Sequence, residues 1–422
     1  MKTKSWIFTI LLLVVTLVCN TVSGQVNNAS KYPDRIILNL QQEASSSIAI
    51  TWRTNKDINE GYVELQLLSS TKVDPKNTKS YKAVSIPVKY EYEGLEPVEA
   101  VQHSVVLSNL IEGEKYMYRV GTDTYWSEWL EFRTPNTNPE FSFIYFGDPQ
   151  SDLKSQWSRV VRKAYQYSPD CSFMLYAGDV INNAGNDVQW DEWFKAGSYI
   201  LGSVPQVLTP GNHDYDDLVI DPHWKYQFNQ PKNGPEEVKG TCFFVDYKNL
   251  KLISFDSATE LELEDENGKA LQSQKIWLDS VLTANTKEWV IVTTHLPFYS
   301  PKASRDNATL RKHFQPILEK HGVDLVLTGH DHSYGRGMAS DNPDIKPSIV
   351  YVVSVSGPKL YDAGTKEWMT KSIGHKQLFQ EITIDGNRLD FKTFSADGEL
   401  CDHFELLKKK NGNNKLKEYS LK

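Results

Sequence analysis

Two hydrophobic patterns divide the chain, and they meet at the short Pro- and Asn-bearing stretch Thr134–Pro139. From Ser30 to Thr134 short segments alternate apolar with polar residues: Arg35–Leu40, Ser47–Trp52, Tyr62–Leu67, His103–Leu107 and Tyr116–Val120. They are rich in β-branched and aromatic residues, and turn residues separate them. Half-buried strands read this way, and several at such spacing predict an antiparallel sandwich over 30–136.

After Pro139 the segments become apolar throughout: Phe141–Phe146, Phe173–Ala177, Val204–Leu208, Trp289–Val292 and Val323–Leu327. Strands buried on both faces have this pattern, and parallel sheets covered by helices supply that environment. Between the runs, apolar residues recur at helical spacing, as in Leu153, Trp157, Val160, Val161 and Ala164, and in Ile276, Trp277, Val281 and Leu282. An α/β domain, with sheets flanked by helices, is therefore expected over 139–408. Gln380–Asp385 and Arg388–Phe394 flank Gly386 and Asn387 and read as a hairpin closing that domain. Residues 409–422, rich in Lys, Asn and Gly, are expected to form a flexible tail.

Composition narrows the class. The chain has 422 residues, 40% hydrophobic and 24% charged, which is enough for two cores and too apolar for a disordered protein. A net charge of −8 excludes nucleic-acid binding by bulk electrostatics and leaves room for a local basic site. Residues 1–24 read as a signal peptide: Lys2 and Lys4 precede the apolar stretch Trp6–Val18, and Val22 and Gly24 suit cleavage before Gln25. Secretion or periplasmic export follows, with lipid attachment at Cys19 as an alternative. No later stretch is long and apolar enough for a transmembrane segment. Cys171, Cys242 and Cys401 then remain; their number is odd, their spacings match no zinc motif, and their pairing is left open.

The chemistry is concentrated at strand ends. Phe146 runs into Gly147-Asp148, Ala177 into Gly178-Asp179, and the third run into Gly211, Asn212, His213 and Asp214. The fourth ends at Thr294-His295, and the fifth at Gly329, His330, Asp331 and His332. Ligands bind outside the carboxyl ends of parallel strands, and carboxylate, imidazole and amide donors without thiolates suit Zn, Mn or Fe. One such loop is weak evidence; five in order point to a shared metal cleft. His103, His223, His313, His321, His375 and His403 lie outside these loops and read as structural.

This order of motifs resembles the calcineurin-like metallophosphoesterases, and within them the purple acid phosphatases. The segments Gly329–Arg336, Trp224–Pro231 and Cys242–Asp246 are similar to that subfamily. His103–Leu110 and Tyr116–Gly121 are similar to its N-terminal fibronectin type III-like domain. The resemblance implies two divalent or mixed-valence metal ions (Fe, Zn or Mn), with Asp179 bridging them. It implies Asp148 and His332 on the first ion, and Asn212, His295 and His330 on the second. His213 would face the substrate and protonate the leaving oxygen. The reaction implied is hydrolysis of a phosphate monoester by a metal-bound hydroxide, on a phosphorylated small molecule.

Two positions depart from the subfamily. Asn182 stands where the purple enzymes carry a tyrosine ligand, which weakens preference for a trivalent ion. Gln150 stands where the wider superfamily has a histidine, and both a ligand role through its amide oxygen and a hydrogen-bonding role are open. Arg336 is a candidate phosphate contact or a loop-supporting ion pair, and Lys302 and Arg305 are candidate contacts for an anionic substrate. Trp157, Trp190, Trp193 and Tyr215 are read as core or as a rim to the pocket. Other readings are a phosphodiesterase or nucleotidase with the same metals, and a non-catalytic cell-surface binding protein.

Overall fold

The computed structural model describes residues 28–68, 73–259, 267–409 and 414–421. The expected signal peptide and Cys19 lie outside them. The N-terminal strands form two facing sheets. Asp34–Leu40, Ile48–Asn55, Val98–Leu107 and Val84–Tyr90 make one, and Lys79–Lys82, Tyr62–Leu67, Lys115–Gly121 and Leu130–Arg133 the other. Alternation along these strands turns Ile50, Trp52, Val63, Leu65, Tyr118 and Val120 into a common core.

The second region is four layers deep. Phe141–Phe146, Met174–Ala177 and Gln206–Thr209 run parallel, continued by the antiparallel strands Leu378–Asp385, Arg388–Ser395 and Leu400–Lys408. A seven-stranded sheet faces them, with Leu250–Ser254, Trp289–Thr293, Leu325–Thr328 and Val350–Val353 parallel at its centre. The two sheets bury one another: Phe143, Phe173 and Val207 share a core with Leu252, Ile291 and Val352. Helices Ser158–Tyr167 and Asp187–Gly197 cover one outer face, and Lys269–Thr283 and Ala308–Lys320 the other. Both faces of each central strand are therefore apolar contacts, which is why these runs lack alternation.

Two expectations are corrected. Ile276 is 74% exposed, because Lys269–Thr283 buries Leu271, Gln274, Leu278 and Leu282 instead; residues three and four apart around Leu278 form the stripe, and Ile276 falls opposite. The tail does not fray throughout: Asn414–Glu418 pairs antiparallel with Leu400–Lys408 as an edge strand. The two regions also share a sheet. Asn39 bridges Gln206 in parallel register, so the first sandwich sheet continues into the catalytic sheet as eleven strands.

Buried charge joins the two regions as well. Arg35 contacts Asp187 at 2.7 Å, Arg53 reaches the same carboxylate at 3.5 Å, and His223 reaches it at 3.1 Å. Asp187 opens the helix that follows the Asp179 loop. The three cysteines are buried free thiols. Among the described residues no helix is long and apolar enough to cross a membrane.

Candidate metal centre

The strand ends turn sharply. Asp148 (φ 33°), Asp179 (φ 50°), His330 (φ 73°) and His332 (φ 48°) all occupy the left-handed region that non-glycine residues rarely adopt. Strain of this kind persists where surroundings over-determine it and gathers at functional sites. The neighbouring glycines permit the crowding. A Cβ on Gly178 would lie 2.3 Å from His295 Nδ1, and one on Gly211 would lie 2.2 Å from Asp179 Oδ1.

Those turns bring the six residues together. Donor atoms of Asp179, His295 and His330 lie within 4.8 Å of one another, and so do those of Asp148, Asp179 and His332. Asp179 belongs to both groups, and every member is buried. Asn212 joins the first group: its Oδ1 is 3.0 Å from His295 Nε2 and 2.9 Å from His330 Nδ1.

Backbone carbonyls set the rings. Ala177 accepts from His295 Nδ1 at 2.9 Å and Lys359 from His332 Nδ1 at 2.8 Å, which leaves Nε2 of each as the inward nitrogen. Asp148 accepts from the His330 amide at 2.8 Å, tying the first loop to the fifth.

The donor set fits a cation. Burial works against charge on His295, yet Asp179, with Asp148 behind it, pushes its pKa up to about 10. Burial would raise Asp179, but His295 and the surrounding histidines hold its carboxyl below the usual range. Burial pushes Asp148 well up. His332 goes down to about 4, chiefly through burial and then Lys359. So many inward acceptors in one buried cluster call for positive charge at its centre.

His213 lies beside this cluster. Its amide donates to Asp179 Oδ1 at 2.9 Å, and its Nδ1 donates to the carbonyl of Asn182 at 2.8 Å. Gln189 Oε1 in turn accepts from the amides of Asn182 and Asn183, both at 2.9 Å. Asp214 does not orient the His213 ring. It turns inward and accepts from the amides of Gly211 (2.8 Å) and Val180 (3.2 Å). Gln150 reaches the site: Nε2 donates to Asp179 Oδ2 at 2.6 Å, and Oε1 accepts from Lys359 at 3.2 Å.

A cavity of about 250 Å³ opens on Asp179, Asn212, His213, His330 and His332, and is completed by Lys302, Arg305, Lys359 and Tyr361. Lys359 and Tyr361 escaped the sequence reading. They follow Val350–Val353, a further strand parallel to its neighbour, and residues 354–361 between that strand and Asp362 contain no histidine or carboxylate to mark them.

Arg336 is not brought to this cavity, which corrects its reading as a phosphate contact. It is 2% exposed and forks onto Asp402 at 2.6 and 3.2 Å, with Glu418 at 2.8 Å. Trp157, Trp190 and Trp193 are core residues, and Tyr215 is turned to Asp256.

Comparison with known proteins agrees with this geometry. Residues 33–134 match the family "Purple acid Phosphatase, N-terminal domain", and residues 141–334 match "Calcineurin-like phosphoesterase". Human acid phosphatase type 7 is 27% identical over 337 residues, covering 75% of this chain and 73% of that protein. The purple acid phosphatase PPD1 from yellow lupin seeds superposes with a TM-score of 0.75 at 18% identity, over 90% of this chain and 75% of that one. PhoD superposes at 0.66 with 12% identity, over 94% of each. The two superpositions bear on the fold.

Proposed function

Because the chain belongs to the calcineurin-like phosphoesterases, with a purple acid phosphatase N-terminal domain ahead of the catalytic unit, we propose that it hydrolyses phosphate monoesters in a two-metal cleft. The observation that carries this reading is the sharing of buried Asp179 between two donor groups. Asp148, Asp179 and His332 would hold one ion, with Gln150 beside them. Asp179, Asn212, His295 and His330 would hold the other. When bound, such a pair supplies Lewis acidity and a nucleophile at neutral pH.

The chain's own residues account for the rest. His213 Nδ1 is committed to Asn182, so Nε2 is the nitrogen left to give a proton to the departing oxygen; general acids of this kind contribute ~10²–10⁴-fold. Lys302, Arg305 and Lys359 bring positive charge to the cavity, which favours a monoester dianion over a diester monoanion. At the position of the subfamily's tyrosine, the Asn182 side chain bonds Asn183 at 2.9 Å, and no phenolate is present to favour a trivalent ion. A divalent pair such as Zn²⁺ or Mn²⁺ follows. The substrate is a phosphorylated small molecule, and the N-terminal 24 residues support export.

Assay of the protein with aryl phosphate monoesters and diesters, each with added Zn²⁺, Mn²⁺ or Fe²⁺, tests this. The proposal expects turnover of the monoester above that of the diester. Preference for the diester would favour a phosphodiesterase, and no turnover with any metal would favour a binding protein.

A further inference from the structure

The cationic side of the cavity exceeds what one phosphate group needs. Arg305 is matched by a carboxylate, since its Nε lies 2.8 Å from Asp331, which is fully buried. Lys302 and Lys359 are in no ion pair among the described residues, although Lys302 acts on the buried Asp331 carboxylate at longer range. Both are half-buried, both line the cavity, and among the described residues neither has a carboxylate within ion-pair distance. The ammonium of Lys359 bonds the neutral amide oxygen of Gln150, at 3.2 Å. That of Lys302 stands 5.4 Å from the centre of the Tyr361 ring.

Tyr361 fixes this pair relative to the metal donors. Its amide donates to the carbonyl of His332 at 2.9 Å, and its ring lies 4.8 Å from the His332 ring. Two ammonium groups with no ion-pair partner among the described residues thus stand beside the site of the scissile phosphate. Their positive charge raises the local concentration of anions at the cavity mouth. Among the described residues the lining holds no Ala, Val, Leu or Ile, and beside its imidazoles Tyr361 is the one aromatic ring, so it offers little to an apolar leaving group.

We propose that Lys302 and Lys359 form a subsite for a second phosphate group, so that the preferred substrates are small molecules carrying two phosphates, one hydrolysed and one held. This rests on the phosphomonoesterase reading above and narrows its substrate class. The second phosphate can be joined through an anhydride, as in a nucleoside diphosphate, or as a separate ester, as in a hexose bisphosphate.

Two measurements test the subsite. In the first, the metal-loaded protein turns over an aryl phosphate, a hexose monophosphate, a hexose bisphosphate and a nucleoside diphosphate. The kcat/KM ratio of the better doubly phosphorylated substrate to the hexose monophosphate is expected to be about tenfold or more. It should collapse toward one in Lys302→Ala/Lys359→Ala and survive in Lys302→Arg/Lys359→Arg. Which of the two doubly phosphorylated substrates wins separates anhydride from ester.

In the second, calorimetry on the metal-free protein compares binding of the hexose bisphosphate and the monophosphate. The bisphosphate should bind about tenfold tighter, and the double alanine variant should lose that margin. Aryl phosphate turnover with no preference for two phosphates and no margin in binding overturns the subsite alone. A lysine-dependent binding margin without turnover of any ester overturns the phosphatase reading and leaves the subsite standing.

Discussion

At the residue scale, the site depends on side chains that touch neither metal nor substrate. Asp214 is fully buried and caps the amides of Gly211 and Val180, the residues flanking Asn212 and Asp179 in their loops. Asp214→Ala leaves those donors unpaired, so a loss of about 2–4 kcal/mol is expected in chemical denaturation, with weaker metal binding by titration. His103 gives the sandwich a pH response. It is buried against Trp52 and hydrogen-bonds Thr54 and Ser85 at 2.7 and 2.8 Å. Burial lowers its pKa from 6.5 to about 4. Between those values the unfolded chain holds more protons than the folded one, so stability falls as pH drops through that window and not further below it. The loss amounts to about 3 kcal/mol. Urea melts at pH 7, 5.5 and 4 should show it, and His103→Asn should flatten this part of the response. The convergence of Asp148, Asp179, Asn212, His295, His330 and His332 was legible from sequence because they sit in ordered strand-end loops. Lys359 was not, because a lysine six residues past the end of a strand carries no such mark.

Among elements, periodicity identified the strands and helices better than it oriented them. The fully apolar runs became buried strands, since each is covered on two faces. In Lys269–Thr283, by contrast, Ile276 tempted a wrong stripe, because Gln274 is buried where an apolar residue was expected; its side chain bonds both the amide and the carbonyl of Asp256. The last strand was hidden by its charge. Asn414–Glu418 earns its place through backbone pairing and through Glu418, which reaches Arg336 at 2.8 Å. Deleting 409–422 should therefore lower the melting temperature by several degrees without abolishing metal binding. Arg336→Met should cost about 3–5 kcal/mol by leaving the buried Asp402 carboxylate without its counter-ion, with KM for an aryl phosphate unchanged. A raised KM at full stability would return Arg336 to the substrate.

On the scale of the whole molecule, the division into sandwich and catalytic region is visible in pattern, while their fusion is not. A single bridge between Asn39 and Gln206, and the burial of Asp187 by Arg35 and Arg53, depend on contacts distant in sequence. Through Asp187 the sandwich supports the helix after the Asp179 loop. The site itself lies where the parallel strands of both sheets end, and it exists only if the two sheets are stacked as described. Asp179 is the residue on which that convergence turns. Metal content of protein purified without chelators, measured beside Asp179→Asn, tests it most directly. The shared site predicts two ions per chain in the parent and one or none in the variant. Two ions retained by the variant, or none in the parent after incubation with Zn²⁺, Mn²⁺ or Fe²⁺, would contradict it.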